Sequence, residues 1–332
     1  MARSIVNQSL LLQKETTLGT PVVNAMTRYH GIKGTVGWDV QEETFRAAGS
    51  SVDTGDNVLT EMGTANLEVM QDYNAMLPLL AGHFGPPVTT ALDAGPPAAY
   101  QHVFTIDPFA APGTTSFTGM WGESGQQALQ VAAMVFHQLT IGVQRTQLSL
   151  SAGAILSAPK TGVAMPGSGA ITDVPFVPVR AQTYCVYMDD TLANIGTTQL
   201  LALYGTEVNF GERLEPDWVV NCNLDSYSEL LDREDVTRTQ SLQVGFDAAS
   251  VGMIDDWRDG KLQYVRVEST GPDINGTDNY GLTIDTAVRL KPTDVGQSST
   301  SPATVVNFDG SLRVGESNFV AEVTLINSLS GL

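Results

Sequence analysis

Histidine and cysteine are the residue types in this chain best suited to metal binding, but their spacing does not favour it. No two histidines form H-E-x-x-H and no two cysteines form C-x-x-C, the arrangements typical of zinc sites. The histidines all lie in the first half of the chain and the cysteines in the second: His30, His83, His102, His137, Cys185 and Cys222. We expect no metal site and no cofactor. The sequence leaves open whether the two cysteines form a disulfide, and reduced thiols are expected.

Serine and the acidic residues give no better catalytic arrangement. Ser124 lies between glycines but lacks the spacing of a nucleophile elbow. Adjacent carboxylates such as Asp189 and Asp190 would point to opposite faces of a strand, which does not suit an acid/base pair. Asp273–Asp278 resembles a calcium loop weakly and fits a hairpin tip better, with Asn275-Gly276 as the turn. We therefore expect a protein that is not an enzyme.

Composition points to a folded protein with a large covered surface. Of its 332 residues 42% are hydrophobic and only 16% are charged, against the roughly 25% charged residues usual in soluble domains. Neighbouring copies of the chain are the simplest cover for such a surface. The net charge of −19 disfavours nucleic-acid binding, which requires basic groups against phosphates. No signal peptide and no run of about 18 apolar residues is recognisable, so we expect no contact with a membrane.

Alternation of apolar and polar residues, the pattern of half-buried antiparallel strands, dominates the chain. It places Val36, Trp38 and Val40 on one face, and it recurs at the following segments: Gln138–Ser151, Tyr264–Glu268, Leu282–Thr286 and Phe319–Ile326. The sequence therefore predicts a mainly β protein.

Two segments with helical character, Asp72–Gly85 and Asp247–Gly260, occur about 175 residues apart. Each starts with an Asp suited to the N-cap and ends with a Gly suited to the C-terminal turn. Each also follows an alternating strand, Asn66–Met70 in one case and Ser241–Gly245 in the other. Such frames could coincide by chance, but the order of the elements matches as well, which indicates a duplicated domain.

The repeat continues upstream, where Val36-Gly-Trp38 parallels Val208-Asn-Phe210. Each of these strands is followed by a long polar stretch, Arg46–Gly63 or Asn223–Thr239, which we interpret as a loop. Ser157–Pro178 is rich in Gly and Pro and is the expected linker region. The resulting division is a first domain over 1–160, a linker over 161–178 and a second domain over 179–332.

Several motifs resemble those of a known family. Leu11–Pro21, which reads LLQKETTLGTP, is similar to the K-E-T-x-x-G-T-P opening of tail tube proteins from long, non-contractile-tailed bacteriophages. Tyr100–Thr105 resembles the Y-x-H-x-F-T segment of the same family. Glu207–Phe210 and Tyr280–Ile284 lie where the second half of that family has strands. Each motif alone is weakly specific, but together they span most of the chain in the expected order.

The resemblance implies two tandem tail-tube-type β-sandwich or barrel domains, each with one flanking α-helix. Subunits of this family join their inner sheets around a channel. A duplicated chain would close a ring of three copies with pseudo-sixfold symmetry, and a ring of six is the alternative. The implied function is structural: stacked rings form the tail tube of the virion, assembled in the host cytoplasm, through which DNA passes without binding.

The partners implied are the chain itself, a tape measure protein in the lumen, and tail terminator and distal tail proteins at the ends. Carboxylates lining the channel would repel DNA phosphates. Two other functions stay open: a different β-rich virion component, such as a tail terminator or capsid decoration protein, and a carbohydrate-binding β-sandwich. The second would need aromatic platforms beside carboxylates, whereas the four Trp are spread along the chain.

The two long loops are the candidate functional segments. We hypothesise that they order when rings stack, because their few apolar residues could dock on a neighbouring ring while their charges fix the register. The candidate inter-ring contact residues are Val58, Leu59, Met62, Leu224, Tyr227, Leu230, Leu231, Arg233 and Arg238.

Overall fold

In the part of the chain that the computed structural model describes, the fold is mainly β, with twenty strands and two α-helices. The described residues are 9–48, 50–93, 95, 97–109, 113–123, 126–144, 148–218, 227, 229–297 and 303–332. The strands of the first half are β1 (Ser9–Lys14), β2 (Met26–Tyr29), β3 (Ile32–Phe45), β4 (Gly55–Val69), β5 (Val88–Asp93), β6 (Ala99–Ile106), β7 (Phe117–Gly122), β8 (Gln127–Gln144), β9 (Leu148–Leu156), β10 (Lys160–Ala164) and β11 (Ile171–Val174).

The second half continues with nine strands and carries the second helix. Its strands are β12 (Tyr184–Asp189), β13 (Leu203–Glu212), β14 (Leu214–Asp217), β15 (Glu229–Asp232), β16 (Thr239–Gly245), β17 (Gln263–Asp273), β18 (Asn279–Gln297), β19 (Thr304–Leu312) and β20 (Ala321–Asn327). The helices are α1 (Met76–Phe84), between β4 and β5, and α2 (Ala248–Arg258), between β16 and β17. Both are too short to span a bilayer, and the described residues contain no other helix that could.

Eight strands form one antiparallel sheet that we call the inner sheet. Its order is β3-β4-β9-β8-β13-β16-β19-β18. The first four strands come from the first half of the chain and the last four from the second half. The same pairing order therefore occurs twice, with β3 matching β13, β4 matching β16, β9 matching β19 and β8 matching β18. The division into two domains stays a prediction, and this repeated order supports it.

The two long strands β8 and β18 connect the inner sheet to two outer layers. The first part of β8 pairs with β7 and β10, and β7 is followed outward by β1, β2 and β11. The first part of β18 pairs with β17 and β20, and these continue to β12 on one side and to β6 and β5 on the other. Strands β5 and β6 of the first half thus belong to the outer layer of the second.

One hydrophobic core extends through both halves, and the helices lie against it in matching places. Helix α1 follows β4 and packs on β8, whereas α2 follows β16 and packs on β18. All nine residues of α1 are buried. Helix α2 has a capping box, in which the Asp247 carboxylate accepts from Ser250 N at 3.0 Å and the Ser250 hydroxyl accepts from Asp247 N at 3.0 Å.

Asp72 does not cap helix α1, so that part of the prediction is wrong. The helix begins at Met76, and its first turn has no side-chain cap. Instead the buried Asp72 carboxylate accepts from Asn74 N and from Val177 N, both at 3.0 Å. Pro78 needs no N–H partner early in the helix, which favours a start close to it. Asp72 therefore holds the segment before β12 against the first half.

Two predicted loops and the predicted linker contain strands. Strand β4 begins at Gly55, so the second half of Arg46–Gly63 is not loop. The residues of β4 before Gly63 are largely exposed on both faces and therefore lack alternation. Strand β15 likewise lies within Asn223–Thr239. Within residues 161–178, most of β10 and all of β11 join the outer layer of the first half. Gln138–Ser151 comprises the end of β8 and the start of β9, paired with each other.

Candidate assembly interface

The junction between β8 and β13 joins the two halves within the inner sheet. Its antiparallel register places Ile141 opposite Val208, with Thr140 opposite Asn209 and Gly142 opposite Glu207 on either side. Ile141 is 2% exposed and Val208 is 1% exposed. The adjacent Phe210 is fully buried. This junction therefore buries apolar side chains in addition to forming backbone hydrogen bonds.

The register of the sheet identifies the equivalent residues of the two halves. Val69 on β4 pairs with Leu150, which pairs with Ile141 on β8. Val244 on β16 pairs with Val306, which pairs with Val295 on β18. Val69 and Val244 occupy matching positions in the two repeats, so Val295 in the second half is the equivalent of Ile141 in the first half. The same reasoning makes Val36 on β3 the equivalent of Val208, and Trp38 the equivalent of Phe210.

Both ends of the inner sheet are open edges in the described chain. Strand β3 pairs only with β4, and residues 289–297 of β18 pair only with β19. Trp38 is 51% exposed and Val295 is 57% exposed, although their equivalents Phe210 and Ile141 are buried. An open strand edge with exposed apolar residues is a template for pairing with another chain. The open edge of β3 therefore corresponds to the edge of β13 that pairs with β8, and the open edge of β18 corresponds to the edge of β8 that pairs with β13.

One face of the inner sheet contacts the core, and the other carries an open polar trough. Along β13 the buried Val208 and Phe210 alternate with Glu207 and Asn209 on the trough face. The trough has a volume of about 530 Å³ and crosses β8, β9, β13, β16, β18 and β19. Its charged lining residues are all acidic: Glu207, Asp294 and Asp309.

Strands β3 and β4 continue beyond the core as a long hairpin, which we call the first arm (residues 37–63). Its strands are paired to the tip, from Trp38 opposite Gly63 to Phe45 opposite Gly55. Most of its residues are exposed on both faces. Its exposed large apolar residues are Trp38, Val40, Phe45, Val52, Val58 and Leu59.

The equivalent hairpin of the second half, the second arm (residues 213–238), docks on the first half of the same chain. It comprises the separate pair β14 and β15. The Tyr227 hydroxyl donates to Ala133 O at 2.6 Å, and Tyr227 is buried against Ala133 and Ile155. Trp218 and Leu230 pack on the same cluster. Gly211, with φ +76, is the second-last residue of β13, just before the chain continues into β14.

Arg213 fixes the base of the second arm. Its guanidinium donates to Asp232 Oδ1 at 2.7 Å and to the carbonyl oxygens of His83, at the end of α1, and Gly113. The side chain is only 3% exposed. His83 Nδ1 lies 3.2 Å from Phe136 O. Burial, together with the positive charge of Arg213, lowers the pKa of His83 to about 3, so this imidazole is neutral.

The structure places the predicted contact residues in different environments. Val58, Leu59 and Leu231 are exposed, whereas Met62, Leu230, Arg233 and Arg238 are half-buried. Tyr227 is buried within its own chain, so it does not present its ring to another copy in this conformation. Arg233 pairs with Glu212 and with Asp235. Leu224 and Cys222 lie outside the described residues.

The open edges were not among the predicted site residues. A signal for them is in the sequence, because the match between Val36-Gly-Trp38 and Val208-Asn-Phe210 pairs Trp38, which the structure exposes, with Phe210, which it buries. Sequence alone does not show which copy is covered. The register, which shows that β13 has two partners and β3 has one, supplies that information.

The most specific motif residues serve the fold. The buried Glu15 carboxylate accepts hydrogen bonds from four groups: Gly19 N, Ser116 Oγ, Thr118 Oγ1 and Ala133 N. His102 bridges Thr89, Asn327 and the Leu329 carbonyl oxygen, at 2.9 to 3.1 Å. Burial lowers the pKa of His102. These contacts tie the K-E-T and Y-x-H-x-F-T segments to distant strands.

The described residues contain no group of three or more His, Cys, Asp or Glu side chains placed to hold a metal ion. Among these residues Cys185, on β12, is not in a disulfide. No protein-family model matches the chain, and no curated protein is significantly similar to it. The open edges and the arms are therefore the features on which a function can be argued.

Proposed function

We propose that this protein is a structural subunit that closes into rings by pairing β18 of one copy with β3 of the next. The observation that carries the proposal is the repeated pairing order, in which β8–β13 is the internal form of the missing β18–β3 contact. Burial of Val295 and Trp38 at that contact would match the burial of Ile141 and Phe210. The rings would stack into a phage tail tube, as the motif resemblance implies.

The internal junction specifies the register expected between copies. Transferring each β8–β13 pair to its equivalent positions gives Asp294 opposite Gly37, Val295 opposite Val36, Gly296 opposite Thr35 and Gln297 opposite Gly34. Antiparallel pairing of this kind gives affinity through the backbone, and the apolar side chains fix the register.

A ring of three chains fits this arrangement better than a ring of six. Both halves of the chain contribute four strands to one continuous sheet, so each chain supplies two of the repeats that surround a channel. Ring closure counts repeats rather than chains. Six chains would be expected only if one half of each chain stayed out of the inner sheet.

The trough face would line the channel. Because the charged lining residues of the trough are acidic, this surface would repel DNA phosphates and let a genome pass without binding. A tape measure protein would occupy the lumen before DNA passage. Tail terminator and distal tail proteins would end the stack, and the protein would act in the virion after assembly in the host cytoplasm.

Contacts between stacked rings are a further part of the proposal. Val58, Leu59 and Met62 on the first arm are accessible to a second ring, since none of them is buried in the chain. A tail terminator or capsid decoration protein would share the ring-forming edges without stacking into tubes. No observation specifically favours a carbohydrate-binding protein.

A charged residue at the proposed contact tests ring closure. We expect Val295→Lys to remain folded and monomeric, because Lys would have to be buried beside Val36 without a partner. Val251→Lys, on the exposed face of α2, is the matched control. Native mass spectrometry and negative-stain images should show rings and tubes for the wild type and the control only. Normal rings from Val295→Lys would refute the proposal.

A further inference from the structure

The two arms are equivalent in the sheet but differ in their surroundings. Glu42 on the first arm corresponds to Leu214 on the second, by the relation that links Val36 to Val208. Leu214 is 2% exposed, whereas Glu42 is exposed. The second arm packs on the first half of its own chain, whereas the described residues of the first arm are mostly exposed on both faces.

The surface that receives the second arm has an equivalent in the second half. Ile155, which contacts Tyr227, pairs with Val135, and the equivalent pair is Ser311 with Arg289. The chain after these strands also matches. Ser157 N donates to Ala132 O at 2.9 Å, and Arg313 N donates to Ala287 O at 2.8 Å.

The chemistry of this second surface differs from that of the first. Arg289, Lys291 and Arg313 are exposed there and take part in no ion pair within the described part of the chain. Asp309, opposite Lys291 on β19, is the acidic side chain closest in the register. The apolar Val135 and Ile155 of the receiving surface are thus replaced by a cation and a serine.

The first arm carries the opposite charge. Its acidic residues are Asp39, Glu42, Glu43, Asp53, Asp56 and Glu61. Its single basic residue, Arg46, already pairs with Asp53 at 3.0 Å. Where the second arm has the buried, apolar Leu214, the first arm therefore offers the exposed Glu42 carboxylate to a basic surface.

We infer that the first arm of each copy lies across the ring junction on the second half of the neighbouring copy, at Arg289, Lys291 and Arg313. The inference rests on the proposed ring. In that ring, the contact between the second half of a chain and its own first half is repeated between the first half of the chain and the second half of the neighbouring copy. The first arm would therefore lie on the neighbouring copy as the second arm lies on its own chain. The internal contact combines apolar packing around Tyr227 with the buried Arg213–Asp232 ion pair, whereas the contact between copies is ionic. Ion pairs of this kind fix register and partner orientation, and they weaken as salt concentration rises.

Charge reversal on each side tests the contact. The surface variant is Arg289→Glu with Arg313→Glu, and the arm variant is Glu42→Arg with Glu43→Arg. We expect each to raise the protein concentration at half-assembly about tenfold or more at low salt, since like charges then oppose each other. The combined variant carries both reversals and restores opposite charges at every junction, whatever the number of copies. It should assemble within about threefold of the wild type.

Lys160→Glu with Arg180→Glu makes the same change in net charge as the surface variant, at exposed positions off the first arm and off the surface of Arg289, Lys291 and Arg313, and serves as the control. Circular dichroism confirms folding of each variant, and sedimentation velocity at low and high salt measures assembly. If both single-side variants assemble like the control, or if the combined variant fails to recover, the arm contact is refuted while the ring stands. If the wild type itself forms no ring, the proposed function and the arm contact both fail.

Discussion

At the scale of single residues, Arg213 is the most deeply buried cation of the described residues. It is almost fully buried and joins the Asp232 carboxylate to the carbonyl oxygen of His83 at the end of α1. Removing it leaves a carboxylate and carbonyl groups without their donor. Arg213→Ala should lower the free energy of unfolding by about 3–5 kcal/mol.

Urea denaturation measures this loss, and Arg46→Ala is the control. Arg46 also pairs with an Asp, but both partners are at least half exposed, so its loss should cost less than about 1 kcal/mol. Equal effects of the two substitutions would mean that the buried network at Arg213 contributes nothing beyond an exposed ion pair.

His83 makes the stability depend on pH. Burial and the nearby Arg213 lower its pKa from 6.5 to about 3 in the folded state. Between these values the unfolded chain binds a proton that the folded chain does not, so stability is lost as the pH falls below about 6.5. The contribution of this residue is at most about 1.4 kcal/mol per pH unit.

Unfolding by urea at pH 7.5 and at pH 5 should therefore show a smaller pH dependence for His83→Gln than for the wild type. His30→Gln is the matched control, because the His30 side chain is 47% exposed, whereas His83 is buried. An unchanged pH dependence in His83→Gln would show that other buried groups, such as His102 and His137, dominate the acid sensitivity.

At the scale of elements, Asp72 and Asp247 occupy matching positions before the two helices but have different roles. Asp247 caps an exposed helix, so Asp247→Ala should cost about 1 kcal/mol. Asp72 is buried and satisfies Asn74 N and Val177 N, so Asp72→Ala should cost about 2–4 kcal/mol. The ratio of the two losses in urea denaturation distinguishes a cap from a buried anchor, and a larger loss for Asp247→Ala would contradict these roles.

Strands with one buried face were predictable, and strands without one were not. Alternation locates Tyr264–Glu268 and Leu282–Thr286 because each has a core side and a more polar side. The distal part of β4 has solvent on both faces, and its sequence therefore lacks the pattern that marks a strand. The site was missed for a related reason: an open edge is defined by an absent neighbour, which no local pattern records.

At the scale of the whole molecule, the proposed ring would continue the inner sheet from copy to copy in a defined register. Val36 and Val295 would be directly opposite across the junction, where Cα atoms of antiparallel strands are about 4.5–5.5 Å apart. This spacing suits a disulfide. In a background with Cys185→Ser and Cys222→Ser, the double variant Val36→Cys with Val295→Cys should oxidise into covalent dimers and trimers. Non-reducing electrophoresis should show no species beyond the trimer.

The matched control moves one cysteine by two residues along the same face. Val36→Cys with Gln297→Cys would face across a diagonal of about 7–8 Å, too far for efficient oxidation. Cross-linked species of up to six chains would indicate a ring of six and would contradict the ring of three. Faster cross-linking in the control would mean that β18 and β3 pair in another register. A register shift changes which side chains are buried at the junction. The exposure of Trp38 and Val295 in the single chain would then need a different explanation.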